Sequence, residues 1–236
     1  ALESTVNVAT ALAALVAIRI AMRPADHDHP YGHHKAEFFS AVLEGVMIIV
    51  AALLILREAW HGFQEPRVLD APVWGLLINM AAGVLNAIWC RVLITRGTAL
   101  KSPALVADGH HLLADVITSA GVVLGVALAV WTGWWFLDPL LAAIVALNIL
   151  WSGWKVMASS LSGLMDEAVP DDILETTRNI ISARATGAIE AHDLRTRQSG
   201  PTRFVQLHLE LDDQLPLVKA HQIADEAELA VRQAFE

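Results

Sequence analysis

Residues 134–172 read WWFLDPLLAAIVALNILWSGWKVMASSLSGLMDEAVPDD, and in this stretch the chain changes solvent. Trp134–Met157 is long and apolar enough to cross about 30 Å of hydrocarbon as a helix, which takes roughly 20 residues. Its single basic residue, Lys155, stands at the end of the run. A run of small residues, Ser159 to Gly163, follows and reads as a hinge, and Pro170-Asp171-Asp172 reads as the start of a solvated helix. The arithmetic on either side agrees. Residues 1–165 carry 11 acidic and 9 basic side chains, and residues 166–236 carry 14 and 7, so the total of −9 divides into −2 and −7. With 55% hydrophobic residues, 17% charged residues and a mean hydropathy of +0.49, the chain as a whole is too apolar for an ordinary soluble enzyme.

Four earlier runs pass the same length test: Thr5–Met22, Phe38–Leu56, Ala71–Ile94 and Pro103–Trp131. Trp60, Trp74, Trp89, Trp131, Trp134, Trp135, Trp151 and Trp154 mostly fall near span ends, where amphipathic rings favour the membrane–water interface. Arg19, Arg23 and Lys35 flank the first loop, Arg91, Arg96 and Lys101 the third, and Lys155 ends the last span. The intervening loops hold only Arg57 and Arg67, so the positive-inside rule places the basic loops and the tail in the cytoplasm. The chain opens inside an apolar helix at Ala1, which leads to the expectation of a further segment before it.

The tail reads as a small α+β domain. Ile173, Leu174, Ile180 and Ile181 recur at helical spacing. Ala191–Gln198 and Thr202–Leu211 alternate apolar and polar residues around Ser199-Gly200-Pro201, the pattern of a β-hairpin. Pro216 then opens a helix from about Leu217 to Phe235. The expected order is α-β-β-α, in a domain small enough to gain from dimerisation. The domain division is 1–158 in the membrane, 159–169 hinge and 170–236 cytoplasmic.

Ionisable groups inside membrane spans are expensive and mark function. His111 and Asp115 lie four apart in the fourth span, hence on one helix face, and Glu3 and Asn7 have the same spacing in the first. Glu3 and Asn7 precede Arg23 by 20 and 16 residues, while His111 and Asp115 follow Lys101 by 10 and 14. At 1.5 Å per residue both pairs fall near mid-membrane. Two carboxylates, an imidazole and an amide oxygen make a four-ligand set for a divalent cation. The alternative is polar glue between helices, for which Asn79, Asn86 and Asn148 suffice. Glu44 and Asp108, nearer the cytoplasmic span ends, read equally as snorkelling, entrance-lining or ligating groups.

The first cytoplasmic loop, Asp26-His27-Asp28-His29-Pro30-Tyr31-Gly32-His33-His34-Lys35, holds four of the ten histidines among carboxylates, a composition suited to borderline divalent metals or to a solvated polar turn. His192, His208 and His221 are spread over the tail, each by itself an ordinary surface histidine. The single cysteine, Cys90, excludes an internal disulfide and a multi-cysteine zinc site. The acidic balance argues against nucleic acid as a partner, and no nucleophile elbow or phosphate loop points to an enzyme.

Pro24–Glu37 (PADHDHPYGHHKAE), His192–Arg203 (HDLRTRQSGPTR) and Ala107–Val116 (ADGHHLLADV) resemble the cation diffusion facilitator family, most of all its bacterial zinc-transporting proton antiporters. The resemblance covers essentially the whole chain. It implies six membrane helices followed by a cytoplasmic ferredoxin-like domain of order α-β-β-α-β, so that one helix before Ala1 and one strand after Glu236 are expected. It implies a homodimer in the bacterial inner membrane, exporting a divalent metal in exchange for protons, with no catalytic cofactor. Its transport site falls on Glu3, Asn7, His111 and Asp115, its loop site on Asp26, His29 and His33, and its cytoplasmic site on His192, His208 and His221. Its charge interlock falls on Lys35 and Asp166. The sequence departs from the zinc members at Glu3 and Asn7, where they carry aspartates. Zn2+ is therefore the first expectation, with Fe2+, Mn2+, Co2+ or Cd2+ as alternatives. A membrane-anchored metal sensor without transport is the rival from another class, and a non-metal channel or structural helix bundle a further one.

Overall fold

The computed structural model describes residues 2–64, 73–134 and 136–235, without the side chains of residues 2–7, 9, 73–79, 126, 129 and 130. Five helices are followed by a smaller α-β-β-α arrangement. The helices are α1 (Leu2–Ala21), α2 (Ala36–Gln64), α3 (Val73–Leu100), α4 (Pro103–Thr132) and α5 (Leu137–Leu164), and each answers one of the apolar runs. By length and composition α2 and α5 are candidates to cross a membrane, and Thr10–Ala21 of α1 is a shorter apolar helix. Ala71 and Trp135, where two of the expected spans have an end or a tryptophan, lie outside the described residues.

Helix boundaries follow local chemistry rather than the edge of the apolar runs. Lys101 takes φ 52° and Ser102 N–H returns to the Gly97 carbonyl at 2.9 Å, closing α3 with a left-handed C-terminal turn. Ser102 then caps α4: its hydroxyl accepts the Leu105 N–H at 3.4 Å, with Pro103 at the first helical position. α2 continues past the expected Leu56 through Arg57, Glu58 and His61 to Gln64, because nothing in those residues breaks a helix. The expected hinge at 159–163 is helical instead. Ser160 Oγ donates to the Val156 carbonyl at 2.7 Å, and Gly163 sits against the Phe38 ring where a side chain would collide. The small residues there serve close packing on α2, and the helix ends at Leu164.

The first compact unit, Ala1–Leu164, pairs α2 with α5 and α3 with α4, and α4 touches both α2 and α5. A Cβ on Gly45 would stand 2.9 Å from Met157 N, and one on Gly153 would stand 3.2 Å from the Gly45 carbonyl oxygen, so α2 and α5 approach backbone to backbone. α2 buries one stripe, Glu37, Ser40, Ala41, Glu44, Gly45, Ile48, Ala52 and Ala59. Ile48 and Ala52 join Ala114 of α4 and Ile149 of α5 in the apolar core.

The second unit is Met165–Glu236. It consists of α6 (Asp171–Arg184), β1 (Ala188–Ser199), β2 (Thr202–Leu211) and α7 (Leu217–Phe235). Asp171 and Asp172 lie in the first turn of α6, at the positive end of its dipole. β1 and β2 pair antiparallel around Gly200-Pro201, with Gly200 at φ 57°, a left-handed conformation that glycine adopts without strain. Ile181 and Ala227 from the helices, with Ala185 just past the end of α6, pack with Leu194, Leu207 and Leu209 from the hairpin.

Candidate metal centres

The loop between α1 and α2 folds on a carboxylate. Asp26 Oδ1 accepts the His29 backbone N–H at 2.7 Å, which shapes the turn. His29 Nδ1 stands 3.3 Å from Asp26 Oδ1, His33 Nε2 stands 3.3 Å from Oδ2, and the two rings lie 4.4 Å apart. One donor atom from each of Asp26, His29 and His33 falls within 4.8 Å of the others, a group that would have to draw in slightly to share one cation bound at about 2.0–2.2 Å. The His29 amide, and then the nearby His33 and His29 rings, hold the Asp26 carboxyl below its usual range, so it stays ionised. His27 turns outward to Asp28. The structure thus brings together all three residues assigned to the loop site.

Inside the helical unit His111 is buried on α4, and its Nδ1 lies 3.2 Å from Oε2 of Glu44 on α2. Asp108 and Asp115, one helical turn to either side, are its electrostatic neighbours. α1 packs against both α2 and α4, so the helix of Glu3 and Asn7 adjoins those of Glu44 and His111. The side chains of Glu3 and Asn7 themselves lie outside the described residues. Glu44, like Asp108, was left undecided by sequence reasoning. The available sign was its phase: it falls on the stripe of Ser40, Ala41 and Gly45, the small residues through which α2 meets its neighbours.

In the second unit His192 and His208 face each other across the hairpin, their rings 5.4 Å apart and nearly edge-on. Among the described residues His221, exposed on α7, joins no converging group of donors. Lys35 Nζ donates to the Leu164 carbonyl at 3.1 Å, and Asp166 accepts a hydrogen bond from Arg197 at 3.1 Å.

Residues 1–165 match the model of the cation efflux transmembrane domain, and residues 169–236 that of the cation efflux protein cytoplasmic domain. The chain belongs to the cation diffusion facilitator family. As a member of it, this chain is a cation efflux transporter, with a transmembrane domain followed by a cytoplasmic one. It is 40% identical over 98% of its length to the uncharacterized transporter sll1263 of a Synechocystis strain, covering 74% of that protein. It is 35% identical to the cation-efflux pump FieF of Escherichia fergusonii and 37% identical to that of Cronobacter sakazakii, in each case over 99% of this chain and 77% of the pump. The relatives carry the names of transporters and pumps rather than of enzymes.

Proposed function

We propose that this cation diffusion facilitator exports a divalent transition metal from the cytoplasm in exchange for protons, as a homodimer in the bacterial inner membrane. The observation that carries the reading is His111, an imidazole buried among membrane helices with Asp108 and Asp115 beside it. Such groups are costly within membrane spans and mark the paths of ions or protons.

His111 and Asp115, with Glu3 and Asn7 from α1, form the transport site. Metal binding needs a neutral imidazole and ionised carboxylates, so cation and protons compete for the same atoms. The inward-open site loads metal and releases protons, and the outward-open site does the reverse. Asp26, His29 and His33 hold metal at the cytoplasmic mouth. His192 and His208 supply two donors in the cytoplasmic domain, whose excess of acid attracts cations and whose loading regulates transport.

Zn2+ is the first candidate, from the imidazoles of the three sites. The oxygen-rich transport set, with Glu3 and Asn7 in place of two aspartates, also suits Fe2+, Mn2+, Co2+ or Cd2+. The test is proteoliposome flux of these metals with and without a pH gradient, with Asp115→Ala as control. Flux is expected to follow the pH gradient and to vanish in the variant. Undiminished flux in Asp115→Ala overturns the site, and metal-dependent closure of the cytoplasmic domain without flux supports the sensor instead.

A further inference from the structure

Glu44 is 1% exposed, on a par with Ile48 and Ile149. Neither carboxylate oxygen touches solvent or takes a well-formed hydrogen bond among the described residues. A carboxylate is costly to bury in this way unless its charge serves something. What it faces is His111: Oε2 lies 3.2 Å from Nδ1, at ion-pair distance, though the alignment is bent from that of a good hydrogen bond. Contacts of this kind in binding sites often straighten only when the ligand is bound.

The backbone that carries Glu44 is firmly seated. Its neighbour Gly45 presses on Met157 of α5, with 2.9 Å between the position of a Cβ and the Met157 nitrogen. Glu44 lies eight residues into α2, which starts at Ala36, and His111 eight residues into α4, which starts at Pro103. Both helices run from the cytoplasmic side, so the two side chains meet at one depth, about 12 Å along each helix.

We propose that Glu44 is the positioning residue of the transport site: it engages His111 through Nδ1 and thereby presents Nε2 to the cation. The inference rests on His111 being a transport ligand. An imidazole has two nitrogens; a metal takes one, and a carboxylate or carbonyl on the other fixes the ring. Whichever partner holds the proton between them, the contact engages Nδ1, so coordination of the ion falls to Nε2. A second effect follows from the same geometry, since a negative charge behind the ring makes the imidazole a stronger donor.

The experiment compares Glu44→Leu, Glu44→Gln, Glu44→Asp and Asp115→Ala in the full-length transporter. It reads the half-saturating Zn2+ and Mn2+ concentrations for flux, the thermal midpoint of the metal-free protein, and the visible spectrum of the Co2+-loaded protein. Glu44→Leu is expected to raise half-saturation by about 10- to 100-fold and to shift the Co2+ spectrum. Its midpoint should not fall, because a buried charge has gone. Glu44→Gln, which keeps an acceptor oxygen for Nδ1, should recover most of the affinity, and Glu44→Asp, one methylene short, should not. Unchanged half-saturation in both Glu44→Leu and Glu44→Asp overturns the proposal, as does a loss explained wholly by a lower midpoint. If Asp115→Ala abolishes flux while the Glu44 variants behave as the parent, the positioning role alone fails. If Asp115→Ala transports normally, the transport site and this inference fall together.

Discussion

At the scale of single residues, charge is placed where one neighbour decides its behaviour. Asp26 is an exposed carboxylate, yet the His29 amide holds it ionised to lower pH than usual. Its pKa is depressed on folding, so its contribution to the turn is present above the unfolded value of about 3.9 and is lost only as pH falls through the lower folded value. The His29 amide resonance should therefore titrate with a midpoint below about 3.9, measured by NMR of the protein in detergent. Asp26→Asn should remove the loop ion from the metal stoichiometry measured by calorimetry and leave the transport site loaded. His111 was legible in the sequence from its spacing to Asp115, and the first loop from its histidine-rich composition, while the choice of Asp26, His29 and His33 within that loop came from the family resemblance. Glu44 was legible only in part: its phase on the small-residue stripe of α2 turns it inward, but the partner that gives it a role lies on another helix, 67 positions away.

At the scale of elements, boundaries are set by caps and close approaches. Ser102 Oγ donates to the buried Glu37 carboxylate and also caps α4, so one hydroxyl ties the start of α2 to the start of α4. Ser102→Ala removes the cap and strands a buried acceptor, a loss of about 1–3 kcal/mol. Thermal unfolding in detergent should show the lowered midpoint. Gly45→Leu forces a side chain into the Met157 backbone and should cost more, with transport falling in parallel. The five helices could be read from the sequence because continuous apolar runs of that length have few other uses. The end of α5 could not, since Ser159 to Gly163 has the composition of a linker while Gly163 serves as a seat for Phe38.

At the scale of the molecule, two compact units divide the chemistry: helices that enclose His111, and a hairpin with two helices that presents His192 beside His208. Two imidazoles are too few to fill a divalent coordination shell, so the site proposed there requires further donors. His192→Ala and His208→Ala should each weaken metal uptake by the cytoplasmic domain, and His221→Ala should change it little, as read by calorimetry on the full chain with Asp26→Asn in the background. The assignment of His221 came from likeness to a family pattern rather than from its surroundings, and among the described residues it joins no group of three or more converging donors. The backbone contact at Gly45 and Gly153 also limits what the chain can vary. Helices in contact through main-chain atoms have no side-chain layer between them to repack, so any residue larger than glycine at either position parts α2 from α5 and displaces the stripe that carries Glu44.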